Sequence, residues 1–160
     1  MNVLDKIKNL TGRSEKQEVN AFDSVIESLR QHKVEVEIDE ENGRCGFQNV
    51  LNYYLFKYPD DPGFFSLYAF GIWDVTKENE LMVYRAINEV NNTTKMVKFG
   101  INQDCVNMEI PAFIFQKEET DDMLTRCFLI GRDAFIKFRK EMEKQEKEES
   151  GKRVKVVGFH

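Results

Sequence analysis

The side chains of this 160-residue sequence that could perform chemistry are three cysteines, two histidines and a few adjacent carboxylates. Cys45, Cys105 and Cys127 are odd in number, widely spaced and never arranged as C-x-x-C. That usage points to free thiols in a reducing compartment rather than to a disulfide frame or a zinc site. A reactive thiol needs an electropositive, partly exposed setting; Cys127 falls on an apolar helical stripe and Cys105 follows an aspartate. His32 lies near a helix end and His160 at the terminus, so the sequence assembles neither a Ser-His-Asp arrangement nor a histidine-rich metal cluster.

The carboxylate pairs Asp60-Asp61 and Asp121-Asp122 sit at a turn and at a helix start, where structural roles explain them. They leave a carboxylate enzyme as a minor alternative. Neither G-x-x-x-x-G-K-[ST] nor G-x-G-x-x-G occurs among the nine glycines, which removes those phosphate loops. Aligning Gly43 with the glycine of a calcium loop puts Ile38 at the first ligand position and Asn49 where a bidentate glutamate belongs, so that motif fails. No cofactor and no metal ligand set are expected.

Aromatic side chains are abundant: 13 Phe, 5 Tyr and 1 Trp. They could form a stacking platform for nucleic acid. A net charge of −5 argues against a phosphate partner, and Lys95-Met96-Val97-Lys98-Phe99-Gly100 lacks the glycine-aromatic order of the RNA-recognition signature. Core packing or protein contact is the better use for these rings. With no signal-peptide core and no apolar run near ~18 residues, a cytoplasmic protein without a membrane partner is expected.

The elements that position these residues are organised around Lys77 to Met142. Val83, Ala86, Ile87 and Val90 recur at helical spacing between Lys77 and Thr94. Alternation then takes over in Val97, Phe99 and Ile101, and again in Val106, Met108 and Ile110, with Asn102-Gln103-Asp104 as the turn between two strands. Pro111 cannot donate to a ladder, so its strand is an edge or pairing stops there. A long helix starts near Glu118 or Thr120 with the stripe Leu124, Cys127, Phe128, Gly131, Ala134, Phe135, Phe138 and Met142; Gly131 reads as a place of close backbone approach.

Upstream, Leu4, Ile7 and Leu10 give a short amphipathic segment, and Thr11 to Asn20 is a polar linker. Phe22, Val25, Ile26 and Leu29 mark a helix capped by Asn20, with Asp23 three residues on, that ends near His32-Lys33. Val34 to Ile38 alternates as a strand, Asp39 to Gly43 turns, and Arg44 to Tyr58 is extended, with Asn49 to Asn52 as a possible break into two strands. Pro59 to Gly63 turns into a strand from Phe64 to Trp73. Because Tyr53 and Leu55 face one way and Tyr54, Phe56 and Tyr58 the other, both sides of the sheet are apolar. Arg139 to Ser150 is a charged helical extension, supported by Arg139-Glu143 and Glu143-Lys147, that Gly151 should end, leaving Lys152 to His160 as a short strand or mobile tail.

This element order, with Asn88-Glu89-Val90-Asn91 at a helix end, the hairpin around Asn102 to Asp104 and Phe64-Phe65 before Ile72-Trp73, resembles the YbjN-like bacterial sensory-transduction regulators over about Asn20 to Met142. Their fold is that of the type III secretion chaperones. The resemblance implies an α+β domain with an antiparallel sheet and flanking helices in the order α-β-β-β-α-β-β-α. Proteins of this fold are often homodimers, and the secretion chaperones among them bind extended client segments along apolar surfaces. It carries no catalytic residues over.

The expectation is a segment 1–19, one α+β domain over 20–150 and a tail over 151–160. A non-enzymatic, chaperone-like or regulatory homodimer would hold a client protein at Tyr54, Phe56 and Tyr58 or on the last helix at Phe135 and Phe138. A small-ligand protein, or an enzyme with a carboxylate or thiol site, is the alternative.

Overall fold

The computed structural model describes the backbone of residues 19–157 and the side chains of residues 19–150. The amphipathic reading of Leu4, Ile7 and Leu10 lies outside the described residues. Asn20 caps the first helix, α1 (Ala21–Gln31), by accepting a hydrogen bond from the Asp23 backbone N–H at 3.2 Å. That carboxamide satisfies one of the donors a helix start leaves unpaired. Phe22, Val25, Ile26 and Leu29 form its buried face, and Lys33 leaves the helix with φ +60°.

Four strands follow: β1 (Val36–Asp39), β2 (Arg44–Gln48), β3 (Asn52–Lys57) and β4 (Phe64–Asp74). The order is therefore α-β-β-β-β-α-β-β-α, because Asn49-Val50-Leu51 breaks the extended region into two strands, with Gln48 registered on Asn52. Asp39 closes the β1–β2 turn as a structural acceptor: its Oδ1 takes the Asn42 N–H at 3.1 Å and its Oδ2 takes Arg44 Nε–H at 2.8 Å.

The second helix, α2 (Glu80–Thr93), buries Val83, Ala86, Ile87 and Val90, the stripe read from spacing. It hands the chain to β5 (Lys98–Asn102) and β6 (Cys105–Phe113). Asn91 makes that junction specific. Its carboxamide donates to the Phe99 carbonyl at 3.0 Å and accepts from the Phe99 N–H at 2.8 Å. A single side chain thus takes the place of a neighbouring strand at an edge whose backbone groups would otherwise lack partners.

All six strands form one antiparallel sheet in the order β1-β2-β3-β4-β6-β5. Pro111 is accommodated on an inner strand because β5 pairs with β6 only as far as Glu109, while the β4 side continues through Phe113. Near its end β4 carries a bulge: register shifts between Ala69 and Trp73, Gly71 adopts φ +64°, and its N–H is taken by Asn107 Oδ1 at 2.9 Å. Glycine suits that left-handed position because it has no Cβ to clash.

A 3₁₀ turn at Lys117–Glu119 leads into α3 (Thr120–Val157). At ~1.5 Å per residue this helix is about 57 Å long. Leu124, Cys127, Ala134, Phe138 and Met142 are buried along it, and Phe128 and Phe135 are half-buried. Contrary to expectation, Gly151 does not end it, and the helix runs on to Val157. Glycine inside a helix costs only about 1 kcal/mol, which does not break a helix already propagating. The ion pair on this extension among the described residues is Lys144 with the half-buried Glu141 at 3.1 Å rather than Arg139-Glu143 or Glu143-Lys147.

Gly131 marks a close approach of α3 to the sheet. A Cβ there would come within 2.6 Å of Ile110 Cδ1, 3.3 Å of the Tyr53 hydroxyl and 3.5 Å of Met108 Cε. Gly131→Leu should raise intrinsic helix propensity yet lower stability by about 1–3 kcal/mol through overpacking. The urea midpoint of the variant against the native chain checks this; a rise would show that the helix can back away from the sheet freely.

Candidate functional site

Alternation decides which side chains meet on each side of the sheet. Cys45, Phe47, Tyr53, Leu55, Phe65, Leu67, Ala69, Val106, Met108, Ile110 and Ala112 are buried on one face beneath the helices. Phe128 of α3 packs there against Phe47 and Tyr53 with ring centroids 6.1 and 5.6 Å apart. Phe138 is a core residue at 0% exposure, stacked on Phe99 at 5.3 Å and edge-on to Trp73 at 5.9 Å. It is not available to a client, which corrects the expected role; its helical position faces inward with Ala134 and Met142. Phe135 is half-buried on the same helix. Gly131 places that helix on the sheet face opposite Tyr54, Phe56 and Tyr58, so the two expected patches are separate.

The other face has no helix on it among the described residues. Register sets Tyr54 opposite Tyr68, Phe56 opposite Ser66 and Phe64 opposite Phe113. Their rings form a connected sheet of aromatics. Tyr54 lies 5.4 Å from Phe70, Phe56 is edge-on to Tyr68 at 5.1 Å, and Tyr68 stacks on Phe70 at 5.6 Å. Tyr58 meets Phe64 at 4.6 Å, Phe64 meets Phe113 at 4.8 Å, and Phe113 stacks on Phe115 at 6.1 Å. Phe70, Phe113 and Phe115 are 43%, 45% and 65% exposed. Sequence reading found Tyr54, Phe56 and Tyr58 but missed Phe64, Tyr68, Phe70, Phe113 and Phe115, although the alternation of Phe64 to Phe70 carried the signal.

A small polar centre interrupts these rings. The buried Ser66 hydroxyl donates to Glu109 Oε1 at 3.0 Å. Burial first, then hydrogen bonding to Glu109 and its charge, push the Tyr68 phenol far above its ordinary range, so it stays protonated as a donor. Lys98 is registered opposite Glu109 on β5 without an ion pair between them. Every buried side-chain N and O among the described residues has a partner, so no orphaned group points to a missing ligand.

Two other places carry polar groups. Ser28 Oγ–H and His32 Nε2 both meet the Asp121 carboxylate, His32 at 3.2 Å. The types are those of a hydrolase triad, but serine and histidine both bond to aspartate and not to each other, so histidine is not placed to take the serine proton. The cluster ties the end of α1 to the first turn of α3, where a carboxylate suits the helix dipole. An open groove of about 810 Å³ runs between α1 and the β1–β2 edge, lined by Phe22, Ile26, Arg30, Ile38, Glu40 and Lys57. It mixes both charge signs. Among the described residues no three His, Cys, Asp or Glu side chains converge on a metal site, and no helix is long and apolar enough to cross a membrane.

No protein-family model and no curated protein matches the chain. Among solved structures it is similar to the crystal structure of YbjN from E. coli, a candidate transcription regulator, with a TM-score of 0.56, 8% identity, and coverage of 74% of this chain and 90% of that one. The chain has the fold of YbjN. This is the fold the resemblance implied, and at that identity the likeness extends to fold alone.

Two expectations follow. Hydrogen bonding by Ser28 and then His32 lowers the Asp121 carboxyl below its ordinary value of 3.8. Its contribution to stability is therefore present above pH ~4 and lost as pH falls through the folded-state value. Asp121→Asn should flatten the acid limb of the urea midpoint against pH; an unchanged limb would show that the Ser28-His32 contacts do not act through the charge. For the thiols, burial pushes Cys127 up to about 11 and raises Cys45. A thiol reagent at pH ~8 should label Cys105 first and reach Cys45 and Cys127 only at the unfolding rate; fast labelling of either buried thiol would contradict the packing.

Proposed function

We propose that this protein is a non-enzymatic interaction module, regulatory or chaperone-like, that holds a segment of a client protein on the open aromatic face. One observation carries the reading: Tyr54, Phe56, Tyr68 and Phe70 form a contiguous ring surface with no element of the described chain over it. Contiguous exposed apolar surface on a soluble protein is characteristic of interaction sites. Aromatic side chains dominate the energy of protein contacts because they remove much area from water while freezing few torsions.

The proposal includes a homodimer and a cytoplasmic location, both in keeping with the resemblance, with free thiols at Cys45, Cys105 and Cys127 and with no helix suited to a membrane among the described residues. The fold likeness to YbjN, a candidate regulator, supports a regulatory or interaction role without naming the client. The competing reading is a small-ligand site in the groove beside Arg30 and Lys57. The groove is open and its charges of opposite sign do not converge on one point, whereas small-ligand sites usually enclose their ligand and aim a few polar groups at it.

The test uses a partner captured from the source cell's extract by the native chain and then purified. Phe56→Ser combined with Phe70→Ser should weaken its binding by about 30-fold or more, the effect of losing a hot spot of ~2 kcal/mol. Far-UV circular dichroism should be unchanged. Light scattering on the native chain should give twice the 18.8 kDa chain mass. Equal binding by the double variant would remove the aromatic face as the client site.

A further inference from the structure

We infer that the outer edge of β1, together with the groove beside α1, docks an extended peptide segment in which basic and apolar residues alternate, taken up as an added strand. This site is separate from the aromatic face and goes beyond the function proposed for it. The sheet treats its two edges differently. At β5 the Asn91 carboxamide occupies both the N–H and the carbonyl of Phe99, which closes that edge to a further strand there. β1 is the other edge, and among the described residues no backbone group of another element bonds to its outer side. Such an edge is a template for pairing with another chain.

The groove supplies the second half of the site. Val34 N–H bonds the Leu29 carbonyl at 2.9 Å, which turns the chain back so that β1 follows α1. Val36 and Ile38 are registered on Phe47 and Cys45, so they point to the helical side. There the open groove of about 810 Å³ is floored by Phe22 and Ile26 and bordered by Ile38, which is 39% exposed. Phe22 to Arg30 covers about 12 Å of helix, and β1 covers about 13 Å of strand. An extended segment of about four residues fits that length and sets its alternate side chains into the groove.

Charge selects the occupant. On the side of β1 away from α1, Glu35 and Glu37 are exposed and make no ion pair among the described residues. Glu37 is registered on Gly46, which has no side chain to cover it. An added strand brings every second side chain beside this acidic row, where Lys or Arg is attracted and Asp or Glu repelled. A second copy pairing antiparallel through its own β1 would set the acidic row against itself, so the edge favours a basic foreign segment over self-association. Inside the groove Glu27 is taken by Lys117 at 2.6 Å, and Asp23 and Glu40 balance Arg30 and Lys57 around the rim. With no excess of either sign, the groove side favours apolar side chains over Phe22, Ile26 and Ile38.

The test titrates the full chain into a fluorescein-labelled hexapeptide in which lysine alternates with valine, read by anisotropy. Binding should saturate, and exchanging the lysines for glutamate should weaken it by about tenfold. Glu35→Lys with Glu37→Lys, both exposed and so harmless to the fold, should reverse that preference. Two further peptides carry N-methyl groups on alternate backbone nitrogens, one set in each. Only one set faces β1, so one peptide should lose binding and the other keep it. No saturation below about 1 mM overturns the inference, whether the edge is then bare or held by a second copy. Equal binding by the two N-methylated peptides overturns it as well, because contact is then not through the ladder, and so does a charge preference that Glu35→Lys with Glu37→Lys leaves unchanged. Phe56→Ser with Phe70→Ser should leave peptide binding as it is; a loss would put the peptide on the aromatic face and overturn the edge site. The edge site and the aromatic client site therefore stand or fall separately.

Discussion

The structure depends on the asymmetry of β4. This strand pairs with β3 along Phe65 to Ala69 and with β6 along Phe64 to Ala69 and again at Trp73 and Asp74, and it is apolar on both faces. Phe65, Leu67 and Ala69 are wholly buried beneath helices, while Phe64, Tyr68 and Phe70 point the other way and stay partly open. A strand with two apolar faces normally lies between two covering layers. Here one layer is present among the described residues, so the hydrophobic effect that drives the core together leaves a second surface of the same kind unspent. Burial of a single large side chain is worth about 1.5–3 kcal/mol; a few rings on one face are enough to fund a specific complex.

The helical layer is held in place by contacts that do not involve the open face. Gly131 brings α3 against Ile110 and Tyr53, Asp121 ties its first turn to Ser28 and His32, and Asn91 locks the end of α2 to Phe99. Each lies on the core side or at an edge. The packing that defines the fold therefore does not rest on the open face. The rings are also organised in advance: Tyr68 stacks on Phe70 with an interplanar angle of 9°, and Phe113 on Phe115 with 7°. Side chains already packed against one another lose less freedom when a partner arrives, which lowers the entropic cost of association.

Sequence patterning made most of this legible, and its failures have physical causes. Val83, Ala86, Ile87 and Val90, the Asn20 cap and the hairpin around Asn102 to Asp104 are local signals, and each appears as read. Pro111 was open between an edge strand and the end of pairing; unequal strand lengths, which only tertiary structure supplies, placed it on an inner strand beyond the reach of β5. Phe138 was legible as a stripe residue but not as a core residue, since spacing marks an apolar face without saying what covers it. Gly151 failed as a stop because a helix that is already long tolerates a glycine. The aromatic face was seen through three of its side chains; the rest come from β4 and β6, strands brought to β3 by pairing over long sequence distances.

The Ser28-His32-Asp121 cluster shows why residue types alone do not settle function. Proton relay needs a base within reach of the nucleophile's hydrogen, and here the serine gives its hydrogen bond to the carboxylate directly. The same group that would orient a catalytic histidine instead joins two helices. On the open face the logic is reversed. Ser66, Tyr68 and Glu109 look like a chemical site, yet burial and the nearby carboxylate hold the Tyr68 phenol protonated, and the Ser66 hydroxyl is committed to Glu109. What remains free on Glu109 is its charge. In a surface made largely of rings, a carboxylate that no cation among the described residues engages would contribute little affinity but discriminate strongly, because an apolar partner that offers no cation must bury that charge without a counter-ion. Under the proposed function, the rings would supply adhesion and Glu109 selectivity.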